Sequence, residues 1–315
     1  MAKVQILEVK SELGAGTRGS SLGVDAIQVA SLDFNSKFFK QHPTTEIPNE
    51  NKRLFEATKH PYAKKIEGIN IMYKRICETV KKTIENGFFP IILSGDHSNA
   101  GGTLAGLKSA YPNSRIGVVW IDAHADLHSP FTSPTGHVHG MPLACSLGED
   151  NLKRQINPID QETSDQWNLL KNVGGISPKI LPEDIVMVGV RDVETQEQSL
   201  INEYKIKNFT VDEIRKIGIE KIVKDISIKL QNCDKIYVSF DVDSMDPSMS
   251  KGTGTPVVKG ISDKEAGHLI TGLMANQRIC CFEMTEINPT LDSENAMAEI
   301  AFEILVKATN QIEQG

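Results

Sequence analysis

The sequence lacks the long hydrophobic runs and the cysteine pattern that would indicate a membrane or exported protein. No apolar stretch among its 315 residues is long enough to span a membrane, and the N-terminus, MAKVQILEVK, is too short and too charged for a signal peptide. The cysteines are odd in number and have no metal-type spacing: they are Cys77, Cys145, Cys233, Cys280 and Cys281. Reduced thiols are therefore expected, which predicts a cytoplasmic protein.

Motifs for nucleotide binding and serine catalysis are missing too. The chain has no GxxxxGKS/T loop, no GxGxxG and no GxSxG elbow. Its net charge of −7 comes from 34 basic and 41 acidic residues, without a basic cluster that would favour nucleic acid. No linker or low-complexity tract divides it, so residues 1–315 are predicted to form a single domain. These features favour an enzyme that acts on a small molecule.

Short apolar runs alternate with segments of helical periodicity. The predicted strands are 4–9, 90–94, 116–121, 184–190, 235–240 and 278–282. The predicted helices are 64–86, which stops at Gly87, 99–110, which Ser98 caps, and 212–230, 262–275 and 292–309. This alternation predicts an α/β fold with three layers, α/β/α, and a mostly parallel central sheet. The polar segment 149–172 is predicted to be a solvated surface excursion.

Aspartate and histidine follow three of the predicted strands. The runs are IILSGDH (91–97), VVWIDAHADLH (118–128) and IYVSFDVD (236–243). Alternate residues of an extended chain point the same way, so Asp122, His124 and Asp126 are predicted to share one face, and Asp241 and Asp243 another. Ligands of parallel sheets bind beyond the carboxyl ends of the strands, which is where these residues lie.

With His97, this set offers four carboxylates and two imidazoles, more than one metal ion normally takes from protein. Two divalent cations would balance the four negative charges, which would otherwise repel one another. One Asp-x-Asp or Asp-x-His alone would indicate an ordinary loop or helix cap, but three clusters predict a dinuclear centre. Oxygen-rich ligation without thiolate favours Mn²⁺, with Co²⁺, Ni²⁺ or Zn²⁺ as substitutes. Such ions acidify a bridging water, so the site is predicted to be hydrolytic.

A series of motifs resembles one enzyme family. The motifs are GDHS (95–98), DAHADLH (122–128), HG (139–140), GVRDVE (189–194), SFDVDSMDPS (239–248), GTGTPVV (252–258) and EINP (286–289). Together they resemble the ureohydrolases, and among these the arginase branch. The resemblance implies an arginase/deacetylase-like fold, two Mn²⁺ ions and hydrolysis of the guanidinium group of L-arginine to L-ornithine and urea. It also implies a homo-oligomer, commonly a trimer or hexamer.

The resemblance also implies a role for each matching residue. One ion would be held by His97, Asp122, Asp126 and Asp241, and the other by His124, Asp122, Asp241 and Asp243, with Asp122 and Asp241 bridging. A metal-bridging hydroxide, oriented by Asp126, would attack the guanidinium carbon. His139 would shuttle protons to or from the departing amine, for which imidazole is suited near pH 7. Glu286, expected at the rim of the site, would pair with the planar guanidinium.

The substrate-binding positions depart from the arginase pattern. His128 and His137 stand where arginases usually carry asparagine for the α-carboxylate of the substrate, and Thr135 stands where serine is common. Glu194 replaces an aspartate that usually helps to hold the α-amino group, and Asp192 in the same motif is a further candidate. Each replacement keeps hydrogen-bonding capacity but changes reach. Plain loop histidines remain an open alternative for His128 and His137.

Other functions compete with this interpretation. Another ureohydrolase could act on agmatine, a guanidino acid or a formimino compound, although agmatine would leave the polar loop SPTGHVHG (133–140) without a carboxylate to bind. A metal-dependent deacylase of the same general fold would give Glu286 no purpose. A non-catalytic binding protein would typically have lost metal ligands, and all six are present here. His42, His60 and His268 are assigned no role.

Overall fold

One sheet of eight strands forms the centre of the molecule. The computed structural model describes residues 2–315. The strands are β1 (Lys3–Val9), β2 (Thr44–Glu46), β3 (Phe88–Ser94), β4 (Ile116–Ile121), β5 (Ile185–Val188), β6 (Lys207–Phe209), β7 (Lys235–Asp241) and β8 (Ile279–Thr285). Their spatial order is β2-β1-β3-β8-β7-β4-β5-β6, and every strand pair within residues 2–315 is parallel. The predicted α/β fold with a mostly parallel sheet is confirmed.

Helices cover both faces of this sheet. They are α1 (Gly23–Asp33), α2 (Phe38–Gln41), α3 (Ile66–Glu85), α4 (Ala100–Ala110), α5 (Pro142–Leu147), α6 (Gln161–Lys171), α7 (Thr195–Tyr204), α8 (Val211–Ile217), α9 (Ile219–Lys229), α10 (Asp263–Met274) and α11 (Ala296–Gln314). One apolar cluster joins the sheet to α1, α9, α10 and α11, and a second joins it to α3, α4 and α6. The central strands β4 and β8 are therefore buried along their whole length, which explains the apolar run of β4 and the ICCF run of β8.

The close packing of α3 on α4 depends on glycine. A Cβ atom on Gly106 would lie 2.7 Å from Cβ of Val80 and 2.9 Å from the carbonyl oxygen of Cys77. Gly102 meets Ile76 in the same way, at 3.0 Å. The glycines that follow the first metal-ligand motif thus have a packing role, because they let α4, which begins just after His97, lie close against α3.

The structure corrects three expectations about individual elements. The predicted helix 212–230 is two helices, α8 and α9, separated by Gly218 at φ 86°. Ser98 does not cap α4, because the helix begins at Ala100 with Asn99 as its N-cap and the Ser98 hydroxyl has no hydrogen-bond partner. Segment 149–172 is not simply solvated: it contains α6, whose Trp167 is 1% exposed and packs into the core.

Two edge strands of three residues each, β2 and β6, were not among the predicted elements, because so short a run has no visible period. Among residues 2–315, no helix is both long and apolar enough to cross a membrane.

Candidate metal centre and substrate cavity

Four neighbouring strands deliver polar side chains to one edge of the sheet. In spatial order these strands are β3, β8, β7 and β4. His97 follows β3, Glu286 follows β8, Asp241 ends β7 and Asp122 follows β4. Since parallel strands end at the same edge, residues nearly 200 positions apart in sequence meet here: the His97 amide donates to Glu286 Oε1 at 2.9 Å across 189 positions.

The first ligand group surrounds Nδ1 of His97, and we name it the His97 subsite (His97, Asp122, Asp126 and Asp241). Nδ1 lies 3.0 Å from Asp122 Oδ2, 3.1 Å from Asp126 Oδ2 and 3.2 Å from Asp241 Oδ2. All four residues are at most 6% exposed. One imidazole nitrogen and three carboxylate oxygens therefore face a single point.

The ring of His97 is held from behind by two residues that the sequence analysis did not identify. Its Nε2 lies 2.7 Å from Ser239 Oγ, and its plane stacks on Trp120 with centroids 4.0 Å apart and an interplanar angle of 3°. A hydrogen bond from Nε2–H to Ser239 leaves the lone pair of Nδ1 directed at the carboxylates, as metal-binding histidines require.

A second group, which we name the His124 subsite, consists of His124, Asp122 and Asp243. Nδ1 of His124 lies 3.0 Å from Asp243 Oδ2 and 3.5 Å from Asp122 Oδ1. Asp122 thus places one carboxylate oxygen in each subsite. Asp241 gives Oδ2 to the His97 subsite, while its Oδ1 accepts from the Asp243 amide at 2.8 Å. Bridging by Asp241 stays a prediction.

The chemistry of this donor set fits divalent cations. His97 Nδ1 and Asp122 Oδ2 are buried and have no hydrogen-bond partner. Burial, together with the Asp243 and Asp122 carboxylates, raises the pKa of Asp241 well above its ordinary value. Burial and Asp122 likewise raise the pKa of Asp126 to about 6. Carboxylates so crowded are unfavourable as anions unless cations lie between them.

The expectation that Asp122, His124 and Asp126 share one face of an extended strand is wrong in its geometry. β4 ends at Ile121, before all three residues, and Asp126 has a left-handed backbone with φ 51°. The Asp126 carbonyl accepts hydrogen bonds from the Leu143 and Ala144 amides at the start of α5, at 3.2 and 3.4 Å. A loop anchored on α5 therefore directs Asp126 into the His97 subsite while His124 points into the other.

His139 and Glu286 form a partly buried ion pair beside the candidate metal centre. His139 Nδ1 lies 3.1 Å from Glu286 Oε1. Burial lowers the pKa of His139, but the hydrogen bond and charge of Glu286 outweigh it and raise that pKa to about 9. Glu286 is 2% exposed, so its expected position at the rim of the site is wrong. It lies behind His139, with a left-handed backbone at φ 66°.

A cavity of about 230 Å³ opens above the metal centre. Every predicted site residue lines it except Asp122 and Glu286, which are buried behind its wall. Asp192 is exposed and lies 3.8 Å from His124 Nε2. Thr135 is exposed at the mouth, and its hydroxyl accepts from the His137 amide at 3.3 Å. The predicted metal and substrate positions therefore belong to one cavity.

His128 is bound to the carboxylates that begin α7. Its Nε2 lies 3.2 Å from Glu194 Oε2 and 3.5 Å from Glu197 Oε2, and its Nδ1 lies 3.1 Å from Thr132 Oγ1. The hydrogen bond from His128 lowers the pKa of Glu194 to about 2. Burial and the neighbouring Glu194 raise the pKa of Glu197 well above its ordinary value. Glu194 is thus an anion that already has an imidazole partner.

His137 is bound to a lysine from the loop before α3. Lys64 Nζ lies 3.3 Å from His137 Nε2, and the Lys64 amide donates to the Gly136 carbonyl at 2.8 Å. Burial and the Lys64 charge lower the pKa of His137 to about 4, so this imidazole is neutral near pH 7 and accepts from the ammonium group. A cation therefore lies next to His137, one of the residues that line the cavity, although Lys64 does not line it.

Several site residues were not predicted from the sequence. Lys64 lies more than 70 positions before His137 in a loop without a motif, and Ser239 and Trp120 belong to apolar strand runs. Thr255, whose hydroxyl donates to Asp243 Oδ2 at 3.0 Å, lies inside the GTGTPVV motif. Ser239 also begins the SFDVDSMDPS motif and Trp120 lies within the run 118–128, so only Lys64 lies outside every quoted motif.

Comparison with known proteins places this geometry among enzymes. A model of the Arginase family matches residues 2–309. The chain is 34% identical over 304 residues to arginase of Bacillus subtilis strain 168, covering 96% of each chain. The solved structure of Bacillus caldovelox arginase superposes with a TM-score of 0.85 at 32% identity, covering 98% of both chains. Formimidoylglutamase of Bacillus subtilis shares the fold at 17% identity, with a TM-score of 0.76.

Proposed function

The chain belongs to the arginase family, and on that premise we propose that it hydrolyses the guanidinium group of L-arginine to L-ornithine and urea with two divalent cations. The observation that carries the proposal is the shared ligand Asp122, which places one oxygen in each of two adjacent subsites beside the His139–Glu286 pair. We propose Mn²⁺ as the native ion, with Co²⁺ or Ni²⁺ as substitutes, because the donors are oxygen-rich and include no thiolate.

Six side chains would hold the ions: His97, Asp122, Asp126 and Asp241 on one side, and His124, Asp122, Asp241 and Asp243 on the other. When bound, the ions supply an acidified water as nucleophile for the guanidinium carbon. Asp126 would orient that nucleophile from within the His97 subsite. Ser239 and Trp120 keep the His97 ring in the ligand orientation. Thr255 does the same for the Asp243 carboxylate.

The proton transfer and the electrostatic stabilisation come from His139 and Glu286. Glu286 Oε1 accepts from the His97 amide and faces His139 Nδ1, so this buried carboxylate stabilises the imidazolium of His139, and its direct pairing with the guanidinium group stays a prediction. The ion pair keeps His139 protonated near neutral pH, so its imidazolium can give a proton to the departing amine. An amine leaves only once it is protonated, and this requires an acid on the cavity side of the bond.

The head group of the substrate would be bound at the cavity mouth. Thr135, His137 and Lys64 offer donors to an α-carboxylate, and Glu194 with Asp192 offers anions to an α-ammonium group. His128 holds Glu194 in place from the inner side. Agmatine, which lacks the carboxylate, would leave the Lys64 side without a partner.

A guanidino acid without an α-amino group is the second candidate substrate. The observation that favours it is the His128–Glu194 contact of 3.2 Å, since an ammonium group must share Glu194 with an imidazole that the chain itself supplies. Such a substrate would still use the carboxylate-binding side of the mouth.

Urea release by protein stripped of metal and reloaded with Mn²⁺ tests the proposal. Fast release from L-arginine, with slow release from agmatine and from 4-guanidinobutanoate, is the expected result. Faster urea release from the guanidino acid than from L-arginine would identify the guanidino acid as the preferred substrate. Bound metal without urea from any of the three would sink the hydrolytic proposal.

We also propose that residues 1–315 form a single catalytic domain that assembles as a trimer or hexamer in the cytoplasm. The support is the family relationship over nearly the whole chain. Light scattering coupled to gel filtration gives the number of chains directly.

A further inference from the structure

A second cluster of potential metal ligands lies outside the cavity. It consists of His60, in the loop before α3, Glu67 in the first turn of α3, and Glu162 in the first turn of α6. Each offers one ligand atom, and the three atoms lie within 4.8 Å of one another. The two glutamates are 95 positions apart, so a shared ligand would join two separate helices.

The imidazole of His60 is buried, and only one of its two ring nitrogens has a hydrogen-bond partner. The residue is 3% exposed, and its Nε2 has no hydrogen-bond partner. That nitrogen points towards the cluster, 4.0 Å from Glu67 Oε1, which is too far for a hydrogen bond. A buried polar atom without a partner is costly, and a native structure normally supplies one.

The other ring nitrogen of His60 has a hydrogen-bond partner on α6. His60 Nδ1 lies 2.9 Å from Thr163 Oγ1. The Thr163 amide donates to the Asp160 carboxylate at the N-terminus of α6 at 2.7 Å, which fixes Thr163 beside His60. In the tautomer that carries its proton on Nδ1, His60 donates to Thr163 Oγ1. The lone pair of Nε2 is then left facing the two glutamates, as in histidines that bind metal ions.

We propose that His60 Nε2, Glu67 and Glu162 bind one divalent cation of intermediate softness, with Zn²⁺ as the best match, and that water completes its coordination. One imidazole and two carboxylates are common Zn²⁺ donors. Lys59 now pairs with Glu67 at 3.1 Å, but its side chain is 64% exposed and can turn away at little cost. This site is separate from the dinuclear centre and does not depend on the proposed reaction.

The bound ion would stabilise the loop beside the mouth of the cavity. The loop that follows His60 turns back at Ala63, whose amide donates to the His60 carbonyl at 3.1 Å. The next residue, Lys64, donates from its amide to the Gly136 carbonyl at 2.8 Å and from its side chain to His137. Fixing His60 to α6 therefore fixes the loop that presents Lys64 to the cavity.

Zn²⁺ retention by the Mn²⁺-loaded protein tests the site. The protein is equilibrated with Zn²⁺ and gel-filtered, and both metals are counted per chain by mass spectrometry. We expect one Zn²⁺ bound in addition to the Mn²⁺, with no loss of Mn²⁺. Glu162→Gln, an exposed position that leaves folding intact, should weaken the Zn²⁺ affinity about tenfold or more in competition with a chromogenic chelator. His60→Gln should abolish retention.

The matched control is His268→Gln, which changes an exposed histidine of α10 far from the cluster and should retain Zn²⁺ as the parent does. The site is refuted if the parent protein binds Zn²⁺ only in place of Mn²⁺. It is equally refuted if Glu162→Gln and His60→Gln retain as much Zn²⁺ as His268→Gln. Because the readout is bound metal, these results are independent of whether arginine is the substrate.

Discussion

At the scale of single residues, the His139–Glu286 pair sets the charge of the group that we propose as the proton donor. The pKa of His139 is raised to about 9, above the ordinary value of about 6.5 for an unfolded chain. The stability that this pair contributes is therefore complete below pH ~6.5 and is lost as the pH rises through about 9. Glu286→Gln should return the His139 pKa towards ~6.5. Imidazole NMR titration of the metal-stripped protein measures it, and an unchanged pKa would assign the shift to another group.

His139 should matter for turnover more than for metal binding. Its imidazole contacts Glu286 and lines the cavity but belongs to neither metal subsite. We expect His139→Asn to lower kcat for arginine by roughly 10²-fold, the usual lower range for loss of a general acid. The Mn²⁺ content should stay as in the parent. A kcat within a factor of two of the parent would remove His139 from the proton-transfer step.

We expect Lys64 to contribute to the preference for arginine over agmatine. Its ammonium group stands beside His137 at the mouth, where a substrate carboxylate would lie. Lys64→Met should raise KM for arginine about tenfold, equivalent to ~1.4 kcal/mol, and should leave KM for agmatine unchanged. Lys65→Met is the control, because the Lys65 ammonium turns away to the Glu56 carbonyl. An equal rise for both substrates would mean that Lys64 supports the loop without contacting the carboxylate.

At the scale of elements, the strands could be predicted and the turns after them could not. The predicted strands 116–121 and 235–240 agree closely with β4 and β7. They could be predicted because strands that are buried on both faces consist mainly of consecutive apolar residues. The candidate metal ligands could be predicted for the same reason, since charged residues interrupt those runs. The left-handed backbones of Asp126 and Glu286, in contrast, depend on contacts with α5 and Gly95 that lie far away in sequence. Lys64 and the burial of α6 were missed for that reason as well.

The break between α8 and α9 lies at Gly218. This residue has φ 86° and ψ 149°, a region that is essentially restricted to glycine, and no atom lies within 4 Å of where a Cβ would stand. Gly218→Ala should therefore lower the free energy of unfolding by about 1–3 kcal/mol through backbone strain. Gly267→Ala inside α10 is the matched control, because the added Cβ makes only an ordinary contact of 3.9 Å with Ile304. Urea unfolding compares them, and equal stabilities would contradict the strain argument.

At the scale of the whole molecule, the sheet order explains why one site needs most of the chain. β3 and β4 are consecutive strands, yet β8 and β7 lie between them. The His97 and His124 subsites are therefore complete only after the last two strands, β7 and β8, have inserted at the centre of the sheet. Metal binding and global folding should be strongly linked, because no local segment holds a complete subsite.

This linkage predicts how stability changes with metal and pH. Without metal, burial raises the pKa values of Asp126, to about 6, and of Asp241, well above its ordinary value. The pKa of His97 is also raised: burial opposes the shift, but the surrounding aspartates outweigh it. The folded apoprotein thus holds more protons than the unfolded chain between pH ~5 and 8, and it loses stability as the pH rises through that window.

Bound cations take the place of those protons, so the metal-loaded protein should lack this decline. At ion concentrations ~100-fold above Kd, each ion adds about 2.7 kcal/mol, which corresponds to a melting temperature roughly 5–10 °C higher for two ions in a protein of this size. Calorimetry with Mn²⁺ and with a chelator, at pH 5.5 and at pH 8, should show a difference that widens at the higher pH. If the difference in melting temperature with and without Mn²⁺ were the same at both pH values, the charges of the ligands would already be balanced by other groups of the protein. The charge argument for two bound cations would then be wrong.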